Sequence, residues 1–277
     1  REEDQVMAII TISRQVGSLG DEIAQAVADA LGYRYVEKSQ ISEALSNVGF
    51  SLSEIDKYDE KVPSIWQSLS IQKDQFAHLI QAVVYELAAR NNAVIVGRGG
   101  QAILKGIPGT LHVRIIAPHA TRLSRIMEDN GYDEKNARQV IRQNDRDSAG
   151  YLSTYFNTNW NNSDLYDLVI NTSTITPSES VQMISCAAGN GEIKKVSPKS
   201  ELLHDLALAH KAKSALLNIT EKVDRVELEF DKGVAYLSGL VRSSVIKNKC
   251  EQAILNIQGV ESVNNHLNVR DKTQDIF

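Results

Sequence analysis

The stretch Ala8-Ile9-Ile10-Thr11-Ile12-Ser13 is a continuous apolar, β-branched run, the pattern of a strand buried on both faces. A short loop, Arg14 to Gly20, follows at once. Behind it Ile23, Ala24, Val27, Ala28 and Leu31 recur at helical spacing up to a stop at Gly32. Strand, glycine loop, helix is the opening of a nucleotide-binding α/β domain, because loop amides and a helix N-terminus converge where the strand ends. The alternation continues. Tyr33–Val36, Ala93–Val96, Leu111–Ile116 and Leu168–Ile170 read as further strands, with helical patterns over 39–90 (broken near Pro63), 119–130, 134–147 and 178–188. Strands separated by helices predict a mostly parallel, doubly wound sheet.

The pattern changes after residues 189–201, a polar stretch with Gly, Pro and Ser and no apolar period, which reads as a linker. Beyond it a helix over 202–217 precedes Val226, Leu228 and Phe230 alternating as a strand, and Asp231-Lys232-Gly233 as a hairpin turn. Val234–Val241 returns, Val245–Ile257 is a second helix, Gly259 ends it, and Val260–Val269 is a third strand. Gly239 inside the return strand predicts a bulge or a close backbone approach. The expected organisation is therefore a domain over 1–188, the linker, a small α+β domain over 202–270, and a tail over 271–277. At 277 residues the chain is long enough for two such cores.

The net charge of -5 argues against a general nucleic-acid binder, which carries a basic surplus, but leaves room for a local basic pocket. Cys186 and Cys250 lack metal-ligand spacing and fall in different halves, so neither a disulfide framework nor a metal site is expected. No run approaches the roughly 20 apolar residues of a membrane span. The acidic start, Arg1 to Gln5, lacks the order of a signal peptide; the two cysteines suit a reducing cytoplasm, which is the expected setting.

A phosphate loop needs backbone amides, glycines that let the anion approach, a lysine, and a Ser or Thr for Mg²⁺. Gly17, Ser18 and Gly20 supply the backbone part; Gly20-Asp21-Glu22 stands where Gly-Lys-Ser/Thr is expected. The segment Ile10–Ala24 nonetheless resembles the opening of the cytidylate-kinase-like family, which shows Ser-Arg-x-x-Gly-Ser-Gly-Gly-Arg-Glu-Ile there. Val94-Ile95-Val96-Gly97-Arg98-Gly99, Arg122 and Arg125, Asp145-Arg146 with Tyr151 and Tyr155, and Tyr166–Thr172 extend the resemblance over most of 7–186.

That resemblance implies the P-loop nucleoside monophosphate kinase fold, with a five-stranded parallel sheet, a monophosphate-binding insertion near 39–90 and a lid near 133–160. It implies ATP with Mg²⁺ as phosphate donor and a nucleoside monophosphate, or another phosphorylated small molecule, as acceptor. By the same resemblance Arg14 holds donor phosphates, Arg98 holds the acceptor, and Arg142, Asp145 and Arg146 close from the lid. Three departures stand against full activity: Leu19 for a glycine, Asp21 for an arginine and Ser148 for a lid arginine; separately, Gly99 stands where an acid usually helps read cytosine, which leaves the acceptor open. A second reading is thus a degenerate kinase that senses a nucleotide or phosphometabolite, and a third is an assembly module.

Each residue also has a plainer reading. Asp21 could ligate Mg²⁺ but better suits the N-terminus of its helix, Arg122 and Arg125 suit a solvated or salt-bridged helix face, and Tyr151, Tyr155, Phe156 and Trp160 could close over a base but better suit the packing of the lid. His204, His210 and His266 show no partner spacing. The strings 233–241 and 259–269 resemble the BON domain, which implies a non-catalytic module of bacterial proteins contacting phospholipid or a protein partner. A packing or homo-oligomerisation role is equally open, and no polybasic cluster favours a membrane surface.

Overall fold

The computed structural model describes residues 8–51, 55, 70–90, 92–189, 193, 200–219 and 226–270. The Pro63 break, most of the linker and the tail lie outside the described residues. Five strands, β1 (Ile9–Arg14), β2 (Arg34–Val36), β3 (Ala93–Val96), β4 (Thr110–Ile116) and β5 (Leu168–Asn171), form one sheet in the order β2-β3-β1-β4-β5. Every pairing is parallel, as the helical crossovers between them require. The central strand β1 has Ile9, Ile10 and Ile12 at 0–1% exposure, which is why it reads as an unbroken apolar run.

The helices of this sheet are α1 (Gly20–Leu31), α2 (Lys38–Asn47), α3 (Ser70–Ala89), the single turn α4 (Gly100–Ile103), α5 (His119–Asn130), α6 (Glu134–Phe156) and α7 (Pro177–Ala188). On one face Ile10, Ile12, Val94, Val96, Val113 and Ile115 pack with Ile23 and Val27 of α1 and Ile184 of α7. The charged helix expected over 134–147 runs on to Phe156. It is started by Asp133, whose carboxylate accepts from the Asn136 amide, and ends at left-handed Asn157. Pro177 and the Thr176–Glu179 capping box fix the start of α7.

Contacts divide the chain into two compact units, one from positions up to 65 with 87–198, the other from 66–86 with 199–277. Most of α3 thus belongs with the C-terminal unit, although it falls inside the span where the resemblance implies a monophosphate-binding insertion. Within that unit α3 meets α8 (Ser200–Leu217): Gln75 Nε2 donates to Asn218 Oδ1 (2.5 Å), Lys211 pairs with Glu86, and His78 Nδ1 lies 3.1 Å from His210 Nδ1. From Leu79 to Ala89 nearly every side chain of α3 is buried, so no polar stripe marks an outer face.

The rest of the second unit is β6 (Val226–Asp231), β7 (Val234–Val241), α9 (Ser244–Leu255) and β8 (Ser262–Val269). β6 and β7 are antiparallel, and β8 runs parallel to β7. Lys232 (φ 50°) and Gly233 (φ 79°) are both left-handed, the signature of a two-residue type I′ hairpin. The Asp205 carboxylate accepts from both their amides. Of the bulge or close approach expected at Gly239, the β8 side shows no bulge, since pairing with β8 runs through it without slippage; on the β6 side it forms the last described pair, with Val226, and its φ is 120°. Among the described residues no helix is long and apolar enough to cross a membrane.

Candidate functional site

The C-terminal ends of β1 and β3 lie side by side, because Ile12 pairs with Val96 and the Gly97 amide donates to Ile12 O (3.0 Å). Ligands gather at this end of an open parallel sheet. Arg14 leaves β1 here. Its side chain passes two glycines: a Cβ on Gly20 would stand 2.3 Å from Arg14 Cβ, and one on Gly97 would stand 3.2 Å from Arg14 Nη1. Both glycines therefore make room for the arginine as well as for any ligand.

Gly97, Arg98 and Gly99 all have positive φ (72°, 55° and 73°). For Arg98 this left-handed backbone costs about 1–2 kcal/mol, which surrounding structure must offset. The turn aims a side chain only 3% exposed into a cavity shared with Arg14, Ser13, Gln101, Ser148 and Trp160. The cavity measures about 30 Å³. Phe156, at the end of α6, roofs the turn; a Cβ on Gly99 would meet its ring at 2.4 Å. The side chain of an acid at position 99 has no room here, which accounts for the glycine. A second cavity of about 120 Å³ adjoins the first through Arg14, Ser148 and Trp160, and is bounded by Val16, Asp21, Asn144 and Asp145.

The loop itself is held from behind. Arg122 Nε donates to Val16 O (2.8 Å), Arg125 Nη1 to Gly17 O (3.2 Å), and Thr172 Oγ1 to Ser18 O (2.8 Å). In a trans peptide the next amide points opposite its carbonyl. The N–H groups of Gly17 and Leu19 consequently turn away from these holders, while the Ser18 amide between them donates to Gln15 O (3.1 Å). Gly17 packs so closely on α5 that a Cβ would lie 3.0 Å from Arg122 O. Leu19, the N-cap of α1, is left-handed (φ 61°) and gives no side-chain cap. The Leu19 side chain therefore answers none of the first amides of α1.

Charges at the loop are already balanced within the protein. Arg14 Nε donates to Asp21 Oδ1 at 2.7 Å, with the pair 29% and 63% exposed. Glu22, next along, has its carboxyl raised above the usual range, first by burial and then by Asp21 and Asp129. Ser18 is fully buried, and its Oγ has no hydrogen-bond partner among the described residues. Its hydroxyl lines neither cavity. The donor set fits the anionic part of a nucleotide, whereas for Mg²⁺ the loop offers one carboxylate, Asp21, already bonded to Arg14. Among the described residues no cluster of three metal-ligating side chains exists.

The structure brings together Arg14, Gly17, Ser18, Gly20, Arg98 and Asp145, though Asp145 is engaged: its carboxylate takes both Nη atoms of Arg122 (3.0 and 2.8 Å). Arg142 and Arg146 are exposed on α6 and border neither cavity. On a helix of 3.6 residues per turn, Arg146 lies about 160° round from Ser148, which does face the cavity. The salt-bridged reading of Arg122 holds, and Arg122 and Arg125 further act as the loop's anchors.

Arg114 was not expected here. It sits at an inward position of β4, 5% exposed, with its guanidinium 4.4 Å from the Trp160 ring centroid and its Nη1 donating to Trp160 O. Trp160 Nε1 in turn donates to Ser13 Oγ (2.8 Å), so this wall of the cavity is fixed from two sides. A charged residue within the Leu111–Ile116 strand is the sequence signal that could have revealed it.

Comparison with known proteins bears on this architecture. A cytidylate kinase of Archaeoglobus fulgidus is 28% identical over 189 residues, covering 68% of this chain and 96% of that protein. A uronate isomerase of Corynebacterium glutamicum is 32% identical over 97 residues, covering 35% of this chain and only 19% of that protein. A solved structure of a protein from Eubacterium ventriosum superposes with a TM-score of 0.54 at 23% identity, covering 66% of this chain and 98% of that one, and supports the fold alone. The sequence profile of the BON domain matches residues 204–271, and that of the cytidylate kinase-like family matches residues 9–174. With its five parallel strands and this match over more than half its length, the chain belongs to the cytidylate kinase-like family and carries a C-terminal BON domain.

Proposed function

We propose that this chain binds a nucleotide through its phosphates at the β1–α1 loop and serves as a sensor, with phosphoryl transfer strongly reduced. One observation carries the reading: Arg14, the cation that crosses the loop, is bonded to Asp21 of the same loop. A bound polyphosphate competes with that carboxylate. Transfer needs cations that neutralise charge spread over the moving phosphoryl group, and losing one arginine-type contact costs roughly 10³–10⁵ in rate. No lysine follows Gly20, and Arg142 and Arg146 border neither cavity.

ATP with Mg²⁺ is the expected donor-side ligand, with the metal carried in on the nucleotide. On the acceptor side, Arg98 and Arg14 suit a phosphorylated small molecule, and the absence of an acid at Gly99 leaves cytosine without its expected reader. A reducing cytoplasm suits the unpaired Cys186 and Cys250. The active-kinase reading draws support from Arg14 and Arg98 bordering one cavity. Calorimetric titration with ATP, CMP and both together, alongside a coupled ADP-release assay on the same sample, separates the readings. Binding without turnover is the expected result; steady turnover favours the kinase, and no binding removes both.

A further inference from the structure

The three-stranded sheet of the second unit has two edges, and they are treated differently. On β8, Leu267 N donates to Asn265 Oδ1 (3.2 Å) and Leu267 O accepts from Lys247 Nζ (2.8 Å), so side chains already answer backbone groups along that strand. A lysine and an asparagine placed this way blunt an edge against further pairing. β6 has no such guard among the described residues: its pairing is with β7 alone, and no side chain bonds its backbone.

The hairpin tells which groups are open. In a two-residue turn the flanking pair, here Asp231 and Val234, exchanges both hydrogen bonds, and the exchange recurs at every second residue. Glu227, Glu229 and Asp231 therefore bond to β7, while Val226, Leu228 and Phe230 turn N–H and C=O to the outside. Their side chains are only half-buried. Beside them runs a groove of about 490 Å³ between β6 and α8, with Leu202 and Leu206 along its apolar wall. Leu202 is 42% exposed.

Charge selects the occupant. Glu227, Glu229 and Asp231 point to the outer face of the sheet, and none of the outward positions on β6, β7 or β8 is Lys or Arg; in the groove itself the acids Glu201, Asp205, Glu229 and Asp231 outnumber Lys213 and Lys232. Two copies joined through β6 would set these acids against one another, and an anionic lipid surface would meet the same repulsion.

We propose that β6 is a docking edge that adds an extended, basic segment of a partner protein as a fourth strand, its alternate residues Lys or Arg and apolar. The basic residues lie beside Glu227 and Glu229, and the apolar ones enter the groove beside Leu228 and Leu206. This site is independent of the nucleotide reading.

Hydrogen exchange on the full chain, read by mass spectrometry over 226–231, tests it with a capped eight-residue peptide alternating Val and Lys. The peptide should slow exchange of the Leu228 and Phe230 amides. The exposed pair E227K/E229K should weaken its binding about tenfold or more and turn preference to the Val–Glu peptide, since each change replaces an attractive cross-strand pair by a like-charge one. Leu228→Pro, which removes an outward N–H, should also lose the peptide; if it misfolds, the charge reversal still decides. Equal binding of both peptides, no protection, or the same amides protected instead by self-association or by phosphatidylglycerol vesicles overturns the proposal.

Discussion

Replacing Asp21 by Asn leaves size and shape nearly unchanged while removing the carboxylate that holds Arg14. The bridge is 2.7 Å long but 29% and 63% exposed, so water screens it, and breaking it costs about 0.2–1 kcal/mol. A polyphosphate at the loop also meets the Asp21 charge; at a separation near 6 Å in a water-like dielectric that repulsion is about 0.7 kcal/mol. Together these predict that Asp21→Asn binds ATP tighter by roughly 1–2 kcal/mol, about five- to thirtyfold in affinity. Because both terms are screened, the gain should shrink as salt rises from 50 mM to 500 mM, values at which the Debye length falls from about 14 to 4 Å. The assay is calorimetric titration of wild type and variant with ATP, with and without Mg²⁺. Equal affinities at low salt refute the reasoning. A variant that binds more weakly, and only when Mg²⁺ is present, shows instead that Asp21 serves the metal. The substitution also removes a favourable charge from the first turn of α1, so stability should fall by about 0.3–1 kcal/mol.

Three further outcomes are expected. Arg98→Ala should abolish binding of a phosphorylated acceptor while leaving ATP affinity within about twofold; unchanged acceptor affinity would falsify its assignment. Gly99→Ala should destabilise the protein by about 1–3 kcal/mol in urea unfolding, from a left-handed backbone plus the contact with Phe156, and adding Phe156→Ala should recover the steric part only. Stability should also fall on acidification. His210 is pushed down to about 3 by burial, then by His78 and Lys213, and His78 is also lowered, chiefly by burial. The unfolded chain binds these protons near pH 6.5, so stability is full above that value and declines between about 6.5 and 3, by about 2 kcal/mol at pH 5 for His210 alone. Chemical denaturation at pH 7.5 and 5 measures it, and His210→Gln should flatten the profile.

Much of the first sheet was legible because its strands are buried on both faces and so write themselves as β-branched runs, as in Ile9–Ile12 and Ala93–Val96. The hairpin at Lys232–Gly233 was legible for a local reason, a turn that needs two left-handed residues. The partition of α3 was not, because from Leu79 to Ala89 the helix is buried nearly all round and carries no stripe that names its partners. Nor was the pairing of His210 with His78, which depends on contact across 132 positions. At the site, the glycines of the first loop were readable as a tight strand-to-helix turn, but not that Gly20 and the distant Gly97 clear a path for Arg14. Arg142 and Arg146 illustrate the opposite case: their density on the helix suggested a clamp, while the helical period turns Arg146 away from the cavity and leaves Asp145 to Arg122. Asp145 and Arg122 are 23 positions apart, a separation no local pattern encodes.

The discontinuity of the second unit has a consequence for biosynthesis. Residues 66–86 leave the ribosome well before their partners in 199–277, with the whole of 87–198 between them. At 5–20 residues per second that gap lasts roughly 5–20 s. Throughout it a helix apolar around most of its circumference waits without α8 beside it, long enough for chaperones to hold it and for neighbouring chains on one polysome to associate through it. The nascent chain is thus vulnerable at this helix until residues 199–277 have been made.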